Sequence, residues 1–200
     1  SRAKMLGMNG TVYTDCTGMG EGNVTTAKDT ALLCSELAKY KNLTPYLTCW
    51  LDTVRDGKAE LVNLNRLVRT YKGVTGMKAW GGEKAGSCIA ATAEKGDMSV
   101  CVVLNGCDSQ EDMNAEAKKL LNLAFDTYEI YTPELPDDMV KETVVCGGEE
   151  LSVKLAPEGL YPIVIPRGTY RMVECDFTAE EKKMNFICGI KKLVYNLLSM

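Results

Sequence analysis

Residues 73–105 decide the fold, and they read GVTGMKAWGGEKAGSCIAATAEKGDMSVCVVLN. Two apolar runs, at residues 88–93 and 98–104, are joined by the polar link Glu94-Lys95-Gly96-Asp97. Two β-compatible runs joined by a short link that contains glycine predict an antiparallel hairpin. The rest of the chain is interpreted around this hairpin.

Lys78 precedes the hairpin, and it stands between Gly76-Met77 and Ala79-Trp80-Gly81-Gly82. Glycines on both sides allow the backbone to approach another group closely. A lysine in this frame, at the edge of a sheet, could bind a carboxylate or a phosphate. The alternative is a solvated loop lysine, and the spacing alone leaves both readings open because short motifs produce false matches.

The same stretch resembles the third motif region of the serine D-alanyl-D-alanine carboxypeptidases, the low-molecular-mass penicillin-binding proteins. In that family a Gly-(Leu/Met)-Lys-Thr-Gly strand is followed, seven residues after its lysine, by Ala-Gly and then by a hairpin. The matching segments here are Gly76-Met77-Lys78, Ala85-Gly86, Ala91-Thr92-Ala93 and Met98-Ser99-Val100-Cys101-Val102-Val103. The sequence departs from the family where Lys-Thr-Gly has become Lys78-Ala79-Trp80.

Composition excludes several classes of protein. A hydrophobic content of 46% and a charged content of 25% are ordinary for a globular chain of 200 residues. The net charge of −4 argues against a nucleic-acid partner, which would require a basic face. No apolar run is long enough for a transmembrane helix. Ser1-Arg2-Ala3-Lys4 is no signal peptide, so we expect the chain to start inside something longer.

The chain contains nine cysteines and no histidine, which limits the catalytic groups and metal ligands that it can offer. No Cys-x-x-Cys pair occurs, so we expect no structural zinc and no other metal or cofactor. The odd count and the wide spacing argue against a disulfide framework, and most cysteines lie in apolar runs as small hydrophobes. The absence of histidine excludes Ser-His and Cys-His catalytic arrangements.

Further elements follow from local patterns. Thr25 or Thr26 caps a helix that is predicted to reach about Lys41. A turn is predicted at residues 56–58, between two possible strands. Asn63 and Asn65, two residues apart, are interpreted as anchors for loop backbone. Residues 109–128 form the clearest predicted helix, with acidic residues at its start and an apolar stripe. Thr17-Gly18-Met19 and Thr25-Thr26-Ala27-Lys28-Asp29 also resemble family segments.

Prolines and acidic residues predict a boundary between residues 131 and 138. The predicted divisions are residues 1–132, the C-terminal part of a carboxypeptidase domain; residues 138–183, a small β-rich domain; and residues 184–200, an amphipathic helix. Short β-rich runs at residues 140–145, 151–155 and 163–165 support the second division. The apolar spacing of the last segment fits a helix that packs on protein or one that lies on a membrane surface.

The predicted fold class is α+β: a partial antiparallel sheet of the β-lactamase and penicillin-binding-protein type with packed helices, then a β-rich segment and a C-terminal helix. The resemblance implies acyl transfer by a lysine-activated serine on peptidoglycan stem peptides, in the bacterial cell envelope. It implies Lys78, Ala79 and Trp80 as the substrate-binding positions. No catalytic residue is assigned, because the single Ser-x-x-Lys match is Ser1-Arg2-Ala3-Lys4 and no Ser-x-Asn occurs.

Three hypotheses remain open from the sequence. The chain is a piece of a carboxypeptidase that lacks the nucleophile, a non-catalytic relative that binds wall peptide or a protein partner, or a scaffold without a ligand site. Ala79 lacks the hydroxyl of the family's threonine, and Trp80 places a large ring where glycine gives a ligand access. Trp80 is therefore expected either to block the groove or to offer a stacking face.

Overall fold

The computed structural model describes residues 2–18, 20, 22–134, 141–144, 152–155, 161–173, 178–182 and 194–198. The chain divides into two compact units, Ser1–Thr127 and Tyr128–Met200. The helices of the first unit are α1 (Arg2–Met5), α2 (Ala27–Ala38), α3 (Thr44–Leu47), α4 (Leu67–Thr70) and α5 (Gln110–Thr127), with a 3₁₀ turn at Lys41–Leu43. Its strands are β1 (Leu51–Val54), β2 (Ala59–Val62), β3 (Val74–Gly82), β4 (Gly86–Lys95) and β5 (Met98–Cys107).

The predicted hairpin is confirmed as β4 and β5, which pair antiparallel with Ala91 opposite Val102. Strand β3 pairs antiparallel with the other side of β4, so the described strands of this sheet run in the order β3-β4-β5. Residues 88–93 of β4 are all buried. A central strand covered on both faces is apolar at consecutive positions rather than at alternate ones, which accounts for the unbroken Cys-Ile-Ala-Ala-Thr-Ala run.

Helices cover both faces of the sheet. Helix α5 packs on β4 and β5, as predicted, and its buried residues are Met113, Ala117, Leu121 and Phe125. They join Leu67, Ala79, Ile89 and Val102 in one apolar core, which we call the α5-side core. Helix α2 packs on β4 and β5 as well. The α2-side cluster consists of Cys34, Met77 and Ala90, with Leu37, Ala38, Leu47, Trp80, Cys101 and Val103 against it.

Both long helices begin at a side-chain cap, which was predicted for α2 only. Thr26 Oγ1 accepts a hydrogen bond from the Asp29 amide at 3.1 Å, so Thr26 is the cap of α2. Ser109 Oγ accepts one from the Asp112 amide at 3.0 Å. Each hydroxyl satisfies an amide that has no partner within the helix. The observed ends, Ala38 and Thr127, lie within a few residues of the predicted ones.

The predicted turn at residues 56–58 joins β1 and β2, which pair antiparallel with Val54 opposite Ala59. Arg55 and Asp56 both have φ near +57°. The left-handed region suits the tight connection of a hairpin. This hairpin leaves most of its side chains exposed on both faces, so it contributes little to either core.

The described part of the second unit consists of paired strands, a 3₁₀ turn at Tyr170–Met172 and connecting residues. The strands are β6 (Tyr128–Tyr131), β7 (Lys141–Val144), β8 (Ser152–Leu155), β9 (Ile163–Pro166), β10 (Thr178–Lys182) and β11 (Val194–Leu198). They form the antiparallel pairs β6–β9, β7–β8 and β10–β11. The three β-rich runs predicted after residue 138 are β7, β8 and β9. The first strand of the unit starts at Tyr128, and the predicted domain bounds stay a prediction.

The predicted C-terminal helix is wrong at Val194–Leu198, because these residues form β11 and pair with β10. The remaining residues of that prediction, 184–193 and 199–200, lie outside the described residues. Apolar residues at 193, 194, 197 and 198 fit helical spacing, but Val194 and Tyr195 belong to the residue types enriched in strands. Within the described residues, no helix combines the length and the apolar character needed to cross a bilayer.

Candidate functional site

Strand β3 carries all three sequence-predicted site residues and orients them on alternate faces of the sheet. Lys78 stands opposite Ala90, Ala79 opposite Ile89 and Trp80 opposite Cys88. Successive side chains of a strand point to opposite faces. Lys78 and Trp80 therefore share the face covered by α2, whereas Ala79 points toward α5. The structure brings the three residues together on one strand but not on one surface.

Lys78 is exposed on a strand that lies at the edge of its sheet. Among the described residues, no ion pair and no side-chain hydrogen bond engages its ammonium group, and no described strand pairs with the outer side of β3. The backbone groups on that side of an edge strand are available to an extended ligand. The lysine and the strand edge thus offer a positive charge beside a row of main-chain donors and acceptors.

Ala79 is 4% exposed and belongs to the α5-side core. Its methyl group faces Ile89 across the strand pair. A side chain in this position contacts apolar neighbours rather than a ligand on the strand edge. Only the backbone of residue 79 can therefore take part in binding along β3.

Trp80 is half-buried and packs against the α2-side cluster, which includes Cys34 and Ala90. Its ring is thereby held on the same face as Lys78, two residues away. Burial of an aromatic ring against a cluster of this kind stabilises one orientation of the side chain. The ring consequently limits the space beside Lys78 on this face.

Gly76 and Asn65 hold the beginning of β3 in place. Gly76 has φ of +148°, and a Cβ at this position would lie 3.0 Å from Leu47 Cβ, so a side chain here would be strained. Asn65 is fully buried, donates from Nδ2 to Gly76 O at 3.3 Å and accepts at Oδ1 from the Leu67 amide at 3.1 Å. Asn63 Oδ1 accepts from the Asn65 amide at 2.9 Å. The interpretation of the asparagine pair as a backbone anchor is confirmed.

Asp15 organises the loop before α2, and sequence reasoning missed it. Its carboxylate accepts hydrogen bonds from the amides of Thr17, Gly18 and Gly20, from the Thr17 hydroxyl and from Asn23 Nδ2. The Thr17 hydroxyl, then Asn23 and the Gly18 amide, hold the pKa of this carboxyl well below its usual range. The available signal was Asp15-x-Thr17-Gly18, the pattern of an Asx turn.

The structure gives no geometry for the Ser1–Lys4 match, because Ser1 lies outside the described residues. Lys4 is exposed on the short helix α1. Cavities of about 420 and 620 Å³ are lined by described residues of the first unit, and Lys78, Ala79 and Trp80 are not among the residues that line them. In the described part of the chain, no group of three or more Cys, Asp or Glu side chains is arranged to hold a metal ion.

Comparison with known proteins gives a consistent family. The family model described as D-alanyl-D-alanine carboxypeptidase matches residues 1–108. The D-alanyl-D-alanine carboxypeptidase DacF of Bacillus subtilis is 32% identical over 171 residues, which cover 84% of this chain and 44% of that protein. The D-alanyl-D-alanine carboxypeptidase DacC of Escherichia coli is 29% identical over 184 residues, covering 91% of this chain and 46% of that protein. The chain thus spans less than half the length of these relatives.

Solved structures agree on the fold. Penicillin-binding protein 5 from Haemophilus influenzae superposes with a TM-score of 0.73 at 21% identity, covering 98% of this chain and 59% of that chain. Penicillin-binding protein D2 from Listeria monocytogenes, in its cefotaxime-bound form, gives a TM-score of 0.57 at 28% identity, covering 62% and 52% of the two chains. The predicted α+β class and the predicted resemblance are therefore confirmed, and the chain belongs to the D-alanyl-D-alanine carboxypeptidase family of peptidase S11.

Proposed function

We propose that β3 of this chain binds the carboxylate end of peptidoglycan stem peptides, with Lys78 as the charged contact. On this proposal the chain is part of a carboxypeptidase that remodels the bacterial cell wall outside the cytoplasm. The observation that carries the proposal is the exposed Lys78 on a strand edge with which no described strand pairs. Among the described residues its charge is not neutralised by an ion pair, so it is available to an anionic ligand.

The strand edge supports an extended peptide as the ligand. A peptide that lies antiparallel to β3 would form main-chain hydrogen bonds with the outer side of the strand. Its terminal carboxylate would then lie near the ammonium group of Lys78. Gly76 and Asn65 hold the strand from one end and Ala79 holds it from the core, so the binding edge is rigid before the ligand arrives.

The chemistry of the family, by resemblance, is acyl transfer from the peptide to a serine, followed by hydrolysis of the acyl-enzyme. We assign no nucleophile to this chain, because no Ser-x-x-Lys other than residues 1–4 and no Ser-x-Asn occurs in it. The role of the described residues is to bind and orient the substrate. Incubation of the 200-residue chain with a penicillin should therefore give no covalent adduct in an intact-mass spectrum.

Peptide titration tests the role of Lys78. A short peptide ending in D-Ala-D-Ala is titrated into the native chain, Lys78→Ala and Lys58→Ala, and binding is followed by NMR. Lys58 is a matched control, because it is an exposed lysine in the turn of the β1–β2 hairpin. An exposed ion pair typically contributes about 0.2–1 kcal/mol, so Lys78→Ala should weaken binding by about 1.4-fold to fivefold. Equal affinities for native chain and Lys78→Ala would refute the assignment.

A non-catalytic binding role is the second candidate, and the packing of Trp80 favours it. The ring occupies space beside Lys78 that glycine would leave open. If it restricts access, Trp80→Gly should bind the same peptide more tightly than the native chain. Binding seen only in Trp80→Gly would show that the tryptophan has closed the site, whereas equal binding would show that the ring lies clear of the peptide.

A further inference from the structure

Cys34 and Cys101 lie on different elements of the first unit and meet between them. Cys34 is on α2, and Cys101 is on β5, opposite Thr92 of β4. Both belong to the α2-side cluster, where Cys34 is 4% exposed and Cys101 is partly buried. Helix α2 packs directly on β5, so these two thiols connect the helix to the sheet.

The two thiols interact, and their surroundings differ. The interaction with the Cys101 side chain is the main cause of the raised pKa of Cys34, with burial adding to it, and the same interaction lowers the pKa of Cys101. Cys101 also lines the cavity of about 420 Å³, together with Ser35, Lys39 and Lys41. Cys101 is thus the thiol that a small reagent can reach, while Cys34 stands behind it.

We propose that Cys34 and Cys101 form a reversible disulfide that ties α2 to β5, through exchange with a small disulfide such as oxidised glutathione. The cavity admits the reagent to Cys101. Its two lysines are paired with carboxylates, Lys39 with Glu36 and Lys41 with Glu94, so the wall does not select an anionic reagent. The bond would join the cluster against which Trp80 packs. Oxidation would therefore stiffen the face of the sheet that carries Trp80 and Lys78.

The reaction is two thiol–disulfide exchanges. The Cys101 thiolate attacks one sulfur of the reagent, a mixed disulfide forms, and one thiolate of the reagent leaves. The Cys34 thiol then loses its proton and attacks Cys101 Sγ, which forms the protein disulfide and releases the second thiolate. The two protein thiols are oxidised and the reagent is reduced to two thiols. The two protons lost by the cysteines are taken up by the two released thiolates.

Among the cysteines that the structure describes, the other pairs are less suited. Cys88 and Cys107 are also neighbours. Burial is the main cause of the raised pKa of Cys107, and the nearby Cys88 adds to the rise. The Cys88 thiol already donates to Ala85 O at 3.3 Å, and its sulfur accepts from the Gly106 amide at 3.4 Å. Cys16 and Cys49 are both exposed single thiols. These cysteines therefore serve as internal controls.

The test maps the linkage in the full chain. The protein is equilibrated with oxidised and reduced glutathione, alkylated, digested without reduction and analysed by tandem mass spectrometry. Fragmentation distinguishes Cys101 from Cys107, which share a tryptic peptide. We expect a Cys34–Cys101 link that is retained in Cys107→Ser and Cys49→Ser. A chain in which other cysteines are oxidised while Cys34 and Cys101 stay reduced, or in which Cys34 pairs elsewhere, would overturn the proposal.

Two variants test the order of the steps. Cys34→Ser should trap one glutathione on Cys101, because the second attack is removed. Cys101→Ser should leave Cys34 unmodified, because the reagent does not reach it. Oxidation should raise the melting temperature of the native chain and of Cys107→Ser but not that of Cys34→Ser. Glutathione on Cys34 in Cys101→Ser, or an equal rise in all three proteins, would contradict the mechanism.

Discussion

Restoring threonine at residue 79 should destabilise the protein rather than restore a ligand contact. The resemblance to a Lys-Thr-Gly strand suggests that Ala79→Thr would return a hydroxyl to the substrate. The structure places this side chain in the α5-side core instead, opposite Ile89 and in the same cluster as Leu67. The added hydroxyl and methyl groups would point into apolar packing.

The magnitude follows from the burial of residue 79, which is 4% exposed. Extra atoms in a packed core typically cost about 1–3 kcal/mol, and a buried hydroxyl without a partner costs about 1–3 kcal/mol. Threonine gains up to about 1 kcal/mol over alanine from its preference for strands. We therefore expect Ala79→Thr to lower the free energy of unfolding by about 1–6 kcal/mol.

Urea unfolding followed by tryptophan fluorescence measures this change, because Trp50 and Trp80 both belong to the first unit. Ala59→Thr is the matched control, since Ala59 begins β2 and is only half-buried. Its effect should stay within about 0.5 kcal/mol. Equal stability of the two variants would refute the placement of residue 79. So would a gain in affinity of Ala79→Thr for a D-Ala-D-Ala peptide.

Two further predictions concern the helix on the sheet and the loop before α2. Leu121→Ala should lower the free energy of unfolding, measured in urea, by about 2–5 kcal/mol, because Leu121 is fully buried. Leu123 lies on the same helix and is 61% exposed, so Leu123→Ala should change that free energy by less than about 0.5 kcal/mol. Similar losses would mean that α5 does not pack on the sheet through Leu121. The Asp15 carboxylate should stay charged at pH values where an ordinary aspartate is protonated, because its hydrogen bonds favour the charged form and depress its pKa. The stabilisation is complete above the unfolded pKa of about 3.9 and is lost as the pH falls toward the folded value. The amide NMR signals of Thr17 and Gly18 should accordingly hold their shifts below pH ~4, and a midpoint near that value would contradict the network.

Local patterns were sufficient for much of the fold. The hairpin of β4 and β5, the cap Thr26 and the turn at residues 56–58 each depend on a few neighbouring residues. The C-terminal strand was not predictable in the same way. An apolar run with mixed spacing fits both the helical and the strand period until its pairing partner is known. Val194–Leu198 finds that partner in Thr178–Lys182, which no local pattern indicates.

The strand that carries the candidate site was predictable from the sequence, but the face of the sheet to which each of its side chains points was not. The glycines around Lys78 and the spacing to Ala85-Gly86 located the strand correctly, and the strand lies at a sheet edge. Which face each side chain takes depends on the bulge between Val74 and Gly76 and on the register with β4. Both are tertiary properties. The placement of Cys34 and Cys101 in one cluster likewise arises only when α2 packs on β5.

The departure from Lys-Thr-Gly therefore has a consistent physical meaning. Ala79 contributes its methyl group to the α5-side core, and Trp80 contributes its ring to the α2-side cluster. The two changed positions thus both add apolar packing on opposite sides of β3, and Lys78 is left as the one exposed charge of the three. On our proposal, recognition on this strand combines that ammonium group with the backbone of the edge that no described strand covers. Such a site would select a ligand by its extended main chain and its terminal carboxylate rather than by its side chains.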